Sequence, residues 1–109
     1  EEASLLDMET LKSRFDQVLA ERIHAGELEA LTLFYNGSVT KDCLLCTSDR
    51  AVLYALLCLD LSNRAISLES ALDKIGLRQT LEHQYTEGWF QDILREARIR
   101  RIQGTGLAF

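Results

Sequence analysis

An uninterrupted apolar segment over residues 51–59 constrains the fold more than any other feature of the sequence. It reads Ala-Val-Leu-Tyr-Ala-Leu-Leu-Cys-Leu, and Ser48 and Asp49 just before it are residue types that commonly cap the start of a helix. The segment is far too short to cross a bilayer. Because a helix that is apolar on every side must be covered on every side, we expect a central helix surrounded by other helices or by a second chain.

The clearest amphipathic helix is predicted over residues 4–26. Acidic residues fill its first turn, where the helix dipole favours them, and Gly26 is placed to end it. The apolar residues that recur at spacings of three and four are Met8, Leu11, Phe15 and Val18. This spacing is also that of a coiled-coil seam, so the stripe is either part of the core, as is usual for such stripes, or a surface for another chain.

Residues 27–42 fit two structures. Leu28, Leu31 and Tyr35 follow helical spacing, whereas residues 31–40 place β-formers on both sides of Asn36-Gly37, a pair typical of a type I′ hairpin turn. We favour the helix. The alternative is one small β-hairpin at about 31–40.

The second half of the chain predicts two further helices, a short one over residues 67–76 and a long one over residues 77–102 that Gly88 is placed to bend. The composition, with 47% hydrophobic and 27% charged residues, is that of a folded protein and not of a disordered one. We therefore expect an all-α fold: a compact bundle of four to five helices around the central apolar helix, in a single domain over residues 1–109.

Charge is distributed unevenly along the chain. The net charge of −5 arises in the first half, whereas acidic and basic residues balance in the second half. Within that half, Arg95, Arg98, Arg100 and Arg101 crowd together near the end of the last predicted helix. Such a patch could contact an acidic partner or the phosphates of a nucleic acid. We favour a structural role for it, because cations stabilise the C-terminus of a helix.

Catalytic or metal chemistry has little support in the sequence. Cys43 and Cys46 have the spacing of a metal-binding or redox pair, but a structural zinc site needs four ligands, and Cys58, His24 and His83 are scattered. Neither histidine lies in a catalytic context, and no glycine-rich phosphate loop precedes a helix. We expect no enzyme, with no catalytic, cofactor-binding or metal-binding residues. Three free thiols and an acidic start, unlike that of a secretory signal, predict a cytoplasmic protein.

These features favour a protein–protein interaction module: a regulator, an adaptor or a small subunit of a cytoplasmic assembly, which we expect to form a homodimer and to have no membrane partner. Apolar helix surface would be buried between chains, and the last helix would supply charge complementarity. The predicted interaction residues are Met8, Leu11, Phe15, Val18, Trp89, Arg95, Arg98 and Arg101.

Residues 67–85 support an alternative. Ala71, Ile75-Gly76-Leu77 and Thr80-Leu81 superficially resemble the rhythm of a bacterial helix-turn-helix motif, with one residue fewer before Thr80. The second helix would present Glu82 to the DNA, where known readers usually carry basic or amide side chains. The alternative hypothesis is a DNA-binding regulator with a degenerate helix-turn-helix at 67–85 and an arginine-rich last helix.

Overall fold

The fold of this chain, in a computed structural model that describes residues 3–104, is built almost wholly from α-helices. Of the described residues, 61% are helical when 3-10 turns are included. In chain order the helices of the described residues are α1 (Leu5–Lys12), α2 (Gln17–Glu21), α3 (Ala25–Tyr35), α4 (Arg50–Cys58), α5 (Leu68–Lys74) and α6 (Glu87–Ile102). The predicted all-α fold is confirmed, with six helices in the described range where four to five were expected.

Two short strands connect loops at one side of the bundle. Strand β1 (Leu45–Cys46) pairs in parallel with β2 (Ala65–Ile66), so that Leu45 lies opposite Ala65. The Arg64 guanidinium donates hydrogen bonds to the carbonyls of Thr40 and Cys43, and it lies 4.8 Å from the centre of the Phe34 ring. Arg64 therefore fastens the loop after α3 to the strand pair.

Helix α4 lies at the centre of the bundle, as the apolar segment predicts. Asp49 caps it by accepting a hydrogen bond from the amide of Val52 at 3.1 Å. Leu56 is fully buried in the larger core cluster with side chains of α1, α2 and α3. Leu53 is also fully buried, but in a second cluster with Phe90 and other apolar residues of α6. Helix α4 therefore contributes buried side chains to both clusters.

The predicted first helix over residues 4–26 is wrong in its continuity, because a turn divides it into α1 and α2. The Ser13 hydroxyl donates to the Thr10 carbonyl at 2.6 Å where α1 ends, and Asp16 starts α2 by accepting from the Leu19 amide at 2.9 Å. These side-chain bonds offer the backbone an alternative to a continuous helix. Gly26 does not end a helix; it lies in the first turn of α3.

Residues 31–35 belong to α3, so the predicted helix is confirmed over the alternative hairpin at 31–40. Leu31 is fully buried, and the hydroxyl of Thr32 donates to the carbonyl of Leu28, which satisfies a buried polar group inside the helix. The chain turns at Gly37, which has a φ of 79°, a left-handed conformation that glycine adopts without strain. Asn36-Gly37 thus ends a helix instead of joining two strands.

The predicted helix over residues 77–102 forms only from Glu87 onward. Gly76 is left-handed with a φ of 76°, and the amide of Leu77 closes α5 by donating to the Leu72 carbonyl at 2.8 Å. Thr86 then caps α6 by accepting from the Trp89 amide. Between these two caps the described chain contains a single 3-10 turn, over His83–Tyr85. The second helix of the predicted helix-turn-helix at 67–85 is therefore not formed, and that prediction is wrong.

The described residues form a compact body. The radius of gyration of its Cα atoms is 14.0 Å, close to the value of about 13 Å expected for a folded chain of about 100 residues. None of the helices within residues 3–104 has the length and apolar character that a membrane span requires.

Candidate interaction surfaces

The apolar stripe predicted as an interaction seam is largely internal. Leu11 and Phe15 belong to the larger core cluster, with 2% and 4% of their surface exposed, and the half-buried Met8 packs against the same cluster. Helices α1, α3 and α4 close over these side chains, so a partner could reach Leu11 or Phe15 only if the bundle opened. They stay predicted interface residues, and in the structure they are part of the core. Val18 differs from them because the turn before α2 leaves it 65% exposed.

Trp89 lies in the first turn of α6 and is half-buried. It packs against the second core cluster, which contains Leu53, Phe90 and Ile93. Most of its apolar surface therefore already has a partner within the chain. It stays a predicted interface residue only through the part of the indole that solvent reaches.

Arg101, one of the predicted interaction residues, stabilises the end of α4. Its Nη1 donates to the carbonyl of Leu57 at 2.9 Å and to Oδ1 of Asp60 at 2.5 Å. Asp60 has a φ of 59°, a left-handed conformation that aspartate tolerates better than most residues. The hydrogen bond from Arg101, together with its charge, holds the pKa of the Asp60 carboxyl below its usual range. Arg101 thus joins α6 to the C-terminal end of α4.

The other predicted arginines lie on the outside of α6. Arg95 and Arg98 are exposed, and Ile99 and Ile102, which follow them on the helix, are 53% and 86% exposed. Helical geometry places these four on the side away from the buried face of α6. That buried face consists of Phe90, Ile93, Leu94 and Ala97. We call Arg95, Arg98, Ile99 and Ile102 the outer stripe.

The charges of the outer stripe are only partly neutralised. Arg95 pairs with Asp92, one turn earlier on α6, with 2.9 Å between Nη1 and Oδ1. Within residues 3–104 no carboxylate forms an ion pair with Arg98. The stripe therefore combines two solvent-exposed branched side chains with at least one cation that has no ion-pair partner in the described part of the chain.

A second surface lies between α2, α4 and α6 and forms an open groove of about 240 Å³. We call it the arginine–tyrosine groove. The residues that line it include Val18, Arg22, Arg50, Ala51, Tyr54 and Arg100. Of these only Val18 was among the predicted interaction residues. The spacing of Arg50 and Tyr54, four residues apart on an otherwise apolar helix, is the signal that could have revealed the groove.

Tyr54 is the centre of the arginine–tyrosine groove. The guanidinium carbons of Arg50 and Arg100 lie 5.6 Å and 5.8 Å from the centre of its ring. The Tyr54 hydroxyl donates to Oε1 of Glu96, which also forms an ion pair with Arg50 and, at 3.6 Å, with Nε of Arg100. Three donor side chains thus converge on one carboxylate oxygen.

A larger cleft of about 680 Å³ lies between α5, residues 78–81 and the start of α6. Several of its polar groups form internal bonds: the hydroxyls of Ser67 and Ser70 both donate to Oε1 of Glu87 at 2.7 Å. Partial burial alone would raise the pKa of Glu87, but hydrogen bonds from Gln91, Ser67 and Ser70 outweigh it and lower that pKa. The network joins α5, which has no buried residue of its own besides its cap Ser67, to α6.

The three cysteines are free thiols. Cys43 and Cys46 are exposed and Cys58 is buried. Partial burial of its sulfur raises the pKa of the Cys46 thiol, and burial also raises the pKa of the Cys58 thiol. Both shifts disfavour the reactive thiolate at neutral pH. Within the described residues no three histidine, cysteine or acidic side chains are grouped so that they could hold a metal ion.

No family model, curated protein or solved structure matches the chain. The functional inference therefore starts from the surfaces themselves. Of these, the outer stripe and the arginine–tyrosine groove combine exposed apolar side chains with arginines, the residue types that are typical of protein interfaces. Several polar groups of the cleft beside α5 are already bonded internally.

Proposed function

We propose that this chain is a non-enzymatic protein–protein interaction module, a regulator, adaptor or small subunit of a cytoplasmic assembly, which forms a homodimer through the outer stripe of α6. The observation that carries the proposal is the exposure of Ile99 and Ile102 beside Arg95 and Arg98. Removing apolar surface from water contributes about 25 cal/mol per Å², so two largely exposed isoleucines on one face are a source of binding energy.

The position of the stripe supports this proposal. The opposite face of α6 packs against α4 through Phe90, Ile93 and Leu94, so the stripe is presented by a helix that is already fixed. A rigid surface loses less conformational entropy on binding than a mobile one. Ile75 and Leu77 are also exposed, but they follow α5, a helix with no buried residue of its own.

Symmetric pairing suits the distribution of charge along α6. In an antiparallel pair of α6 helices with a two-fold axis near Ile99, the isoleucines of both chains would meet at the centre. Arg95 would lie towards the rim, already paired with Asp92 of its own chain. Its guanidinium would then stay hydrated, and repulsion between the Arg95 side chains of the two chains would be small.

Sedimentation equilibrium of three proteins tests the proposal: the wild type, the double variant Ile99→Ser with Ile102→Ser, and the control Ile75→Ser. Ile75 is 67% exposed and lies outside the stripe, so its substitution removes exposed apolar surface elsewhere. We expect a concentration-dependent dimer for the wild type and the control, and a monomer for the double variant with an unchanged circular dichroism spectrum. A wild type that stays monomeric from micromolar to millimolar concentration would contradict the proposal, as would equal weakening by the control.

The cytoplasmic location in this proposal rests on the free thiols of Cys43, Cys46 and Cys58, since exposed thiols persist in reducing compartments. Nucleic acid is a less favoured partner. The second helix of the predicted helix-turn-helix is missing, and Arg101 is directed at Asp60 and Leu57. A titration with mixed-sequence duplex DNA at low salt checks this preference, since phosphate contacts are strongest there. We expect no binding.

A further inference from the structure

We infer that the arginine–tyrosine groove binds an acidic peptide segment of a partner protein, with a peptide carboxylate between the arginines and a neighbouring apolar side chain of the peptide against Val18. This inference rests on the proposed function, because it names the partner chemistry of the same interaction module. It concerns a surface other than the outer stripe, so the two can fail separately.

The groove has more hydrogen-bond donors than acceptors. Each of Arg22, Arg50 and Arg100 carries five N–H donors, and Tyr54 adds a hydroxyl. One carboxylate that faces these groups is Glu96, whose Oε1 takes part in bonds with Arg50, Tyr54 and Arg100 together. Because Arg22 takes part in none of these bonds, the carboxylate of a ligand can be accommodated beside it without breaking them.

The net charge of the groove has the sign that an acidic ligand requires. Three guanidinium groups face two carboxylates, those of Glu96 and Asp16, and Asp16 also accepts the Leu19 amide that starts α2. Arg22 is exposed at the end of α2 and forms no ion pair within residues 3–104. An anion placed between Arg22 and Arg50 would gain charge-assisted hydrogen bonds, which are the stronger class.

The apolar part of the groove indicates that the ligand is more than a simple anion. Ala51 and Tyr54 line it together with Val18, which is 65% exposed. The volume of about 240 Å³ is smaller than the roughly 300–1,000 Å³ typical of small-molecule and cofactor sites. The groove is therefore suited to one or two side chains of a peptide, one acidic and one apolar.

A polyanion fits the molecule less well than a short acidic segment does. The whole chain carries a net charge of −5, which opposes the approach of a long array of phosphates. A single carboxylate in the groove interacts mainly with the nearby arginines, because at physiological salt charges are screened beyond about 8 Å. The acidic peptide is thus favoured over nucleic acid.

The experiment measures fluorescence anisotropy of the full chain with a labelled peptide of sequence Gly-Glu-Leu-Glu-Glu-Phe-Gly. Two control peptides replace its glutamates by glutamine or its leucine and phenylalanine by serine. We expect both controls to bind more weakly. For the test peptide we expect Arg22→Gln and Val18→Ser each to weaken binding about threefold, the size typical of one exposed contact. Arg78→Gln and Leu77→Ser, outside both the groove and the outer stripe, should leave it unchanged.

Four outcomes decide the inference. Loss of affinity confined to Arg22→Gln and Val18→Ser supports it. No peptide binding, equal effects of groove and control variants, or tighter binding of mixed-sequence duplex DNA than of the test peptide overturns it. The sedimentation experiment on Ile99 and Ile102 is independent of these results. If the dimer forms but no peptide binds, the groove inference alone is wrong; if the peptide binds but no dimer forms, only the outer stripe is wrong.

Discussion

Helix α4 has arginines at both of its ends, in two different environments. At the C-terminal end Arg101 donates to the backbone carbonyl of Leu57 and to Asp60. Near the N-terminal end Arg50 pairs with Glu96 beside an open groove, where its side chain is 50% exposed. An arginine bonded to a backbone carbonyl becomes part of the fold. One that shares a carboxylate at the rim of a groove keeps donors that a partner can use.

This difference decides which arginines are candidates for binding. Arg95, Arg98 and Arg101 lie close together in the sequence, yet only the first two lie on the outer stripe. The acceptor of each guanidinium, rather than the number of arginines, separates a structural role from a binding role.

Leu56→Ala should have the largest effect, because it removes a side chain that packs α4 into the larger core cluster. Leu56 is fully buried, and truncation of such a leucine typically lowers the free energy of unfolding by about 3 kcal/mol. Urea denaturation followed by circular dichroism measures the loss. The matched control is Leu77→Ala, at an exposed position. A loss at Leu56 no larger than at Leu77 would mean that α4 is not central to the core.

Arg101→Ala should destabilise the chain by about 1 kcal/mol, because it removes a charged donor to a backbone carbonyl together with a partly exposed ion pair. Arg98→Ala is the control, since Arg98 has no ion-pair partner within the described residues. Its substitution should change the free energy of unfolding by less than about 0.5 kcal/mol. Equal effects of the two variants would contradict the distinction between Arg101, which has a structural role, and Arg98, which lies on the outer stripe.

The Asp60–Arg101 pair predicts a pH dependence with a defined sign. Arg101 lowers the pKa of Asp60 in the folded chain, so protons bind Asp60 more readily in the unfolded chain. The stabilisation is then complete above the ordinary pKa of 3.8 and is lost as the pH falls through the lower folded value. Urea midpoints of the wild type and Asp60→Asn should differ at neutral pH and converge in acid. If the difference between the two midpoints grew as the pH falls, the pair would not stabilise the folded chain through a lowered pKa of Asp60.

Glu96→Gln should have the smallest effect on stability. The side chains of Arg50 and Glu96 are 50% and 36% exposed, so solvent screens the pair and its loss should cost less than about 0.5 kcal/mol. The same variant removes a negative charge from the groove and should strengthen binding of the acidic peptide about threefold. Thermal unfolding and peptide anisotropy measure the two effects. A large loss of stability with no gain in binding would contradict this expectation. The Arg50–Glu96 pair at the start of α4 would then have a structural role like that of Arg101 at its end.

Sequence patterns predicted the helices whose buried residues recur at regular spacing or form one apolar segment. The apolar segment over residues 51–59 identified α4, and helical spacing over residues 28–35 identified α3. Both patterns depend on local periodicity, which one sequence contains. The break between α1 and α2 depends instead on side-chain bonds of Ser13 and Asp16, which compete with the helix without disturbing the apolar spacing. The late start of α6 depends likewise on the cap at Thr86.

The candidate surfaces were harder to predict, because exposure depends on tertiary packing. Phe15 and Val18 share one apolar stripe in the sequence, but the turn before α2 buries the first and exposes the second. Arg100 and Tyr54 lie far apart in the chain and meet only when α6 packs on α4. The sequence predicted an arginine-rich last helix, but the division of its cations between Asp60 and the outer surface required the structure.

The most direct test of the central claim is a series of backbone amide NMR spectra of the isotope-labelled chain at increasing protein concentration. If the chain is an interaction module that pairs through α6, the amide signals of Arg95, Arg98, Ile99 and Ile102 shift progressively while those of α3 stay in place. Spectra that do not change over the whole concentration range, or shifts confined to α5 and residues 77–82, would contradict the account.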